Sequence, residues 1–144
     1  MVVIALLALT SLWYVQTPPR TAGDYRERAG MTAELLRSQA ESARLWVSAV
    51  EADRTPRQTA TVGLREAEED AVEVAAEFAG WDPPTRALRE LRSELTAAAD
   101  ETTSALGAIR IATEDERWDE LGALAQPLTR LAERLERLAR TAAE

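Results

Sequence analysis

The sequence predicts an all-α chain: an antiparallel up-down-up-down four-helix bundle preceded by an N-terminal apolar anchor helix. Three observations predict it. The stretch from Leu121 to Leu138 places Leu121, Leu124, Leu128, Leu131, Leu135 and Leu138 in alternating steps of three and four, the repeat of a helix packed against other helices. Ala125, Ala132 and Ala139 follow one step behind ladder leucines and widen the seam into the stripe that a bundle needs. Earlier segments repeat the spacing, and short proline- or glycine-bearing turns separate them. Alanine and leucine dominate, aromatic residues make up 5 %, and only six glycines and six prolines interrupt the pattern.

Taken in order, residues 1–15 (MVVIALLALTSLWYV) carry no charge and form a candidate anchor. As a helix they span roughly 22 Å, short of a hydrocarbon core of about 30 Å. Trp13 and Tyr14 close the run where a membrane interface sits. The rival readings are a cleaved signal peptide and a first helix that packs on a partner. No basic residue precedes the run, and Thr21-Ala22-Gly23 is a poor cleavage site, so the anchor is preferred. The missing basic flank and the shortness share one explanation, a start codon upstream of Met1. Residues 16–23 (QTPPRTAG) form a linker, because Pro18 and Pro19 hold the backbone extended. The stalk-like arrangement places the bundle outside the cell membrane, although Arg20, Arg26 and Arg28 read literally by the positive-inside rule place it in the cytoplasm.

Within the bundle of residues 24–144, helix one is expected over about 24–53, capped by Asp24. Its stripe is Ala29, Ala33, Leu36, Ala40, Ala43, Val47 and Val50. Helix two follows over about 56–79, with Thr55 as cap, Pro56 in the first turn and Gly80 as a left-handed terminator. Ala60, Leu64, Ala67, Ala71, Val74 and Phe78 face inward. Helix three is expected over about 84–112, with Asp82 capping and Leu88, Leu91, Leu95, Ala98, Thr102, Ala105, Ile109 and Ala112 inward. Helix four is expected over about 114–142, opened by a Thr113–Glu116 capping box. Pro127 lies inside it, yet the ladder keeps phase from Leu124 to Leu131, which predicts a kink and not a break. Alternating helices put Trp46 and Trp118 at one pole, and Tyr25, Phe78 and Trp81 at the other.

Charge and composition exclude several function classes. The net charge is −8, with all of it after residue 19, so no nucleic acid partner is expected. Every one of the 17 basic residues is arginine, which reads as codon bias, since the arginines are scattered. There is no cysteine and no histidine. That removes thiol nucleophiles, disulfides and the Glu-x-x-His pairs that hold metals in bundles. The densest acidic run, Glu66, Glu68, Glu69, Asp70, Glu73 and Glu77, reads as a solvated face, with a divalent cation or a basic partner as the functional alternative. Serines such as Ser42 and Ser104 have no activating base and no nucleophile elbow, and no phosphate loop is present. No catalytic, cofactor or metal residues are assigned, and no enzyme is expected. Trp46 and Trp118 form the candidate ligand or partner patch.

The segment Phe78-Ala-Gly-Trp-Asp-Pro-Pro84, followed by an arginine- and leucine-rich amphipathic helix, resembles small exported or membrane-anchored helical proteins of high-GC bacteria. Many of those carry a lipid-attachment cysteine that this chain lacks. A looser likeness links the chain to the four-helix sensor domains of chemoreceptors, which continue into a second span and a signalling module. The expected function is that of a non-catalytic anchored bundle at the cell membrane, acting through a protein partner or a homo-oligomer. A sensor binding a small ligand at the Trp46/Trp118 pole, and a soluble cytoplasmic coiled-coil adaptor, are the alternative functions, and secreted or cytoplasmic the alternative localisations.

Overall fold

Thr21 caps the first helix of the described residues. Its hydroxyl accepts a hydrogen bond from the Asp24 N–H at 3.1 Å, and the Asp24 carboxylate accepts one from the Thr21 N–H at 2.9 Å. The pair is a capping box, satisfying two amides that the first turn would otherwise leave unpaired. Asp24 is thus the third helical residue and not the cap expected for it. The hydrogen bond from the Thr21 backbone, and then that involving its side chain, hold the Asp24 carboxyl below the usual carboxylate range.

The computed structural model describes residues 21–144. The apolar segment 1–15, including Trp13 and Tyr14, lies outside the described residues. Four α-helices follow in order: α1 (Ala22–Glu51), α2 (Arg57–Ala79), α3 (Leu88–Glu114) and α4 (Leu121–Ala143). A 3-10 turn, Trp118–Glu120, leads into α4. Among the described residues there is no strand, and no helix is long and apolar enough to cross a membrane.

The helix ends differ from those expected, each for a local reason. α1 stops in a Schellman motif, with Arg54 N–H donating to Ala49 C=O at 2.8 Å and Asp53 N–H to Val50 C=O at 3.0 Å. α3 stops the same way, through Arg117 N–H to Ala112 C=O at 2.8 Å and Glu116 N–H to Thr113 C=O at 3.3 Å. The left-handed residue is Asp53 in the first (φ 51°) and Glu116 in the second (φ 58°). Thr113 and Glu116 therefore terminate α3 and do not cap α4. The Thr113 hydroxyl donates back to Arg110 C=O at 2.7 Å. Gly80 is right-handed (φ −74°), and α2 begins at Arg57 with Pro56 in the capping position and no side-chain cap from Thr55. α3 starts at Leu88 and not at Pro84, because each proline holds its predecessor extended and residues 85–87 are spent on a turn. Asp82 pairs with Arg92 at 3.0 Å instead of capping.

The helices form a four-helix bundle. α1 packs on α4 and α2, α3 packs on α4 and α2, and α1 meets α3 across the middle. The expected stripe of α1 is buried, with Tyr25 and Thr32 added to it. On α2, Val74 is half-buried beside an otherwise buried row, and on α3 Leu106 is buried while Ala105 is half-buried. Four of the α1 positions are alanines at 1 % exposure or less (Ala29, Ala33, Ala40, Ala43), and Ala98 and Ala112 of α3 are fully covered, so the interior is narrow. Every ladder leucine of α4 is buried except Leu124, which is half-buried. α4 runs unbroken through Pro127. The carbonyl that loses its partner there is that of Ala123, an exposed residue, so water takes the place of the missing amide.

Candidate functional site

The two tryptophans singled out by the sequence each have a partner inside the chain. The Trp46 ring lies over Gly63 of α2: a methyl group built on that glycine would sit 2.7 Å from Cζ2 and closer still to Cε2 and Nε1. The Trp118 ring lies beneath the Arg57 guanidinium, 5.2 Å from its centroid. Both are half-buried against the core. They share α2 as a neighbour, one on its first turn and one on its second, and no facing contact between the two rings is among those the structure defines. Trp46 is a ridge filling a glycine notch, a role that spacing alone did not reveal.

At the opposite end, the rings of Tyr25 and Phe78 meet at 5.8 Å with a 48° tilt. Arg28 covers the Trp81 ring at 5.4 Å and pairs with Glu77. Tyr25 is fully covered, yet its hydroxyl has no hydrogen-bond partner among the described residues. Burial pushes the Tyr25 hydroxyl above its ordinary pKa, Arg92 pulls it back, and Asp82 adds to the rise. Tyr25→Phe is expected to raise stability by about 1 kcal/mol, because it removes a desolvated donor that returns nothing. A thermal melt checks this; a lower melting temperature in the Phe variant would show that the hydroxyl is bonded.

Two grooves run along the outside. One, of about 740 Å³, lies between α3 and α4 and is lined by Ser104, Ala105, Pro127, Arg130 and Leu131, with Arg134 bridging it to Glu101 at 2.8 Å. The other, of about 710 Å³, lies between α2 and α3 around Val72, where Arg110 pairs with Glu68 and Glu114. The hydrogen bond to Glu114, then that to Glu68, holds the Arg110 guanidinium more firmly charged. Neither groove is lined by Trp46 or Trp118. Among the described residues no three carboxylates converge as a metal site would require. Within the acidic run of α2, Asp70 accepts from Gln39 at 3.2 Å and Glu77 pairs with Arg28, so that strip is laced to α1.

The surface that sequence reasoning passed over is the back of α1. Met31, Leu35, Ser38, Ser42, Leu45 and Ala49 succeed one another in steps of four and three on the side away from the core. Met31 is 49 % exposed, Leu35 43 % and Leu45 71 %. No charged side chain interrupts this second seam. The exposed Glu27, Glu34 and Glu41 repeat at seven-residue intervals along its α4 side, and Arg37 ties Glu34 (2.8 Å) to Glu41 (3.7 Å). Along its α2 side lie the exposed Asp70, which accepts from Gln39, and the exposed Glu77, which pairs with Arg28. The signal was legible, since the spacing is that of the buried stripe shifted by two residues, but the buried stripe is the stronger of the two.

No protein-family model, curated protein or solved structure matches the chain.

Proposed function

We propose that this protein is a non-catalytic, membrane-anchored bundle whose helices alternate up and down and which acts by holding a protein partner outside the cell membrane. The observation that carries the reading is the outward seam of α1, where large apolar side chains remain in water on an uncharged helix face. The alternation of helix direction is supported by the order of contacts along neighbouring helices. Arg28 near the start of α1 reaches Glu77 near the end of α2, Arg92 near the start of α3 reaches the Ala79 carbonyl at the end of α2 while Arg110 near the end of α3 reaches back to mid-helix Glu68, and Gly30 in α1 lies against Ala142 at the end of α4. Attachment through residues 1–15 is supported by their uncharged, apolar composition and by the aromatic pair Trp13 and Tyr14 at its end. The likeness to exported helical proteins of high-GC bacteria points the same way.

Fractionation of cells making the full chain tests the reading. The protein is expected in the membrane fraction, resistant to alkaline carbonate, with the bundle digested by protease added to intact spheroplasts. Recovery in the soluble fraction without detergent, or full protection from that protease, would contradict it.

A further inference from the structure

We propose that the outward seam of α1 is the docking face for a helix of another protein, and that this helix is amphipathic and basic: apolar along one side, with arginine or lysine along both borders of that side. The inference rests on the protein-contact reading above and adds its place and the chemistry of the partner.

The geometry comes first. From Met31 to Ala49 the seam covers five turns, about 27 Å of helix, in the step pattern by which helices pack side by side. A solitary exposed leucine is ordinary, but Met31, Leu35 and Leu45 fall in register on a single uncharged face. Ser38 and Ser42, between them, are small enough to let a partner's backbone approach. An apolar helix laid along this line would exclude water from the half-exposed side chains, as in other helix-on-helix recognition.

Charge then selects the occupant. Both borders of the seam are acidic, with Glu34 and Glu41 on the α4 side and Asp70 and Glu77 on the α2 side. Arg37 and Arg44 offset two of the three charges of Glu27, Glu34 and Glu41 on the first border and Arg28 one of the two on the second, leaving a single net negative charge on each. A second copy of this chain, laid parallel or antiparallel, would bring acidic border against acidic border. An anionic lipid surface meets the same repulsion. A helix with basic borders meets neither and gains complementary pairs that fix its register.

The test uses the full chain in nanodiscs of zwitterionic lipid, with a photoreactive benzophenone residue replacing Ser42 inside the seam or Arg130 outside it. The probes are two synthetic helices with the same leucine seam, one bordered by arginine and the other by glutamate. Cross-linking at position 42 is expected with the arginine-bordered helix, at a yield roughly tenfold above the glutamate-bordered one. It should fall roughly tenfold in Leu35→Glu/Leu45→Glu, whose exposed positions leave the melting temperature unchanged, and should fall at high salt or in Glu34→Gln/Glu41→Gln. Equal yields from the two probes, equal yields at 42 and 130, or an unaffected Leu35→Glu/Leu45→Glu variant would overturn the proposal. So would a 42-linked dimer of the chain itself, which would make a second copy the occupant. If cross-linking in cells captures a protein from position 130 while position 42 stays silent, the protein-contact reading survives and the seam assignment fails.

Discussion

Leu95→Asp is expected to abolish the folded state. Leu95 lies at 0 % exposure two turns into α3, in the buried row that faces the other helices. Removing a leucine there forfeits about 2–5 kcal/mol of burial and packing. The carboxylate that replaces it adds a several-kcal/mol penalty for an unpaired charge, because the buried set around it is apolar. The sum reaches or exceeds a total stability of about 5–15 kcal/mol. A calorimetric scan should show no cooperative transition, while Leu95→Met, which keeps the volume, should cost less than about 1.5 kcal/mol. An unchanged melting temperature in the Asp variant would mean that Leu95 faces water. Leu131→Asp should be milder, since Leu131, although buried, borders the α3/α4 groove that Arg130 and Arg134 also line.

Gly63→Ala is the second large effect, and its sign separates two principles. Within a helix, replacing glycine by alanine ordinarily stabilises by about 1 kcal/mol. Here the new methyl would lie 2.7 Å or less from the Trp46 ring, so the indole must swing off the bundle. Leaving that seat exposes apolar surface worth about 1.5–3 kcal/mol. Net destabilisation of about 0.5–2 kcal/mol is expected, together with red-shifted tryptophan emission. In a Trp46→Ala background the same substitution should become stabilising, a reversal that a double-mutant cycle reads directly. Stabilisation in the native background would mean that Trp46 does not occupy the notch.

How much of this was legible in the sequence depends on which interaction decides each feature. The helices and their inward faces were, because burial imposes a periodicity that Leu121 to Leu138 displays and Ala29 to Val50 repeats. The helix ends were less so, because a cap depends on one residue's φ and not on a pattern. Thr21 and Asp24 were both in view, but which of them leaves the helix first is settled by the pair of hydrogen bonds between them. Asp53 and Glu116 occupy left-handed positions that glycine normally takes, so the composition carried no mark of where α1 and α3 stop. The Thr113–Glu116 spacing fitted a capping box and turned out to close a helix. The Trp46 notch required knowing which α2 residue lies opposite, and the outward α1 seam was overshadowed by the buried stripe beside it.

The central claim is that α1 and α4, the first and last helices of the described residues, lie side by side and close a single four-helix ring. Introducing cysteines at Gly30 and Ala142 tests it most directly, because the chain has no cysteine of its own and a Cβ at Gly30 would stand 3.6 Å from that of Ala142. That separation falls within the range a disulfide accepts. Under mild oxidation, Gly30→Cys/Ala142→Cys is expected to run as a faster-migrating monomer that reverts on reduction. Failure to cross-link, or cross-linking only between chains, would contradict the packing of α1 on α4.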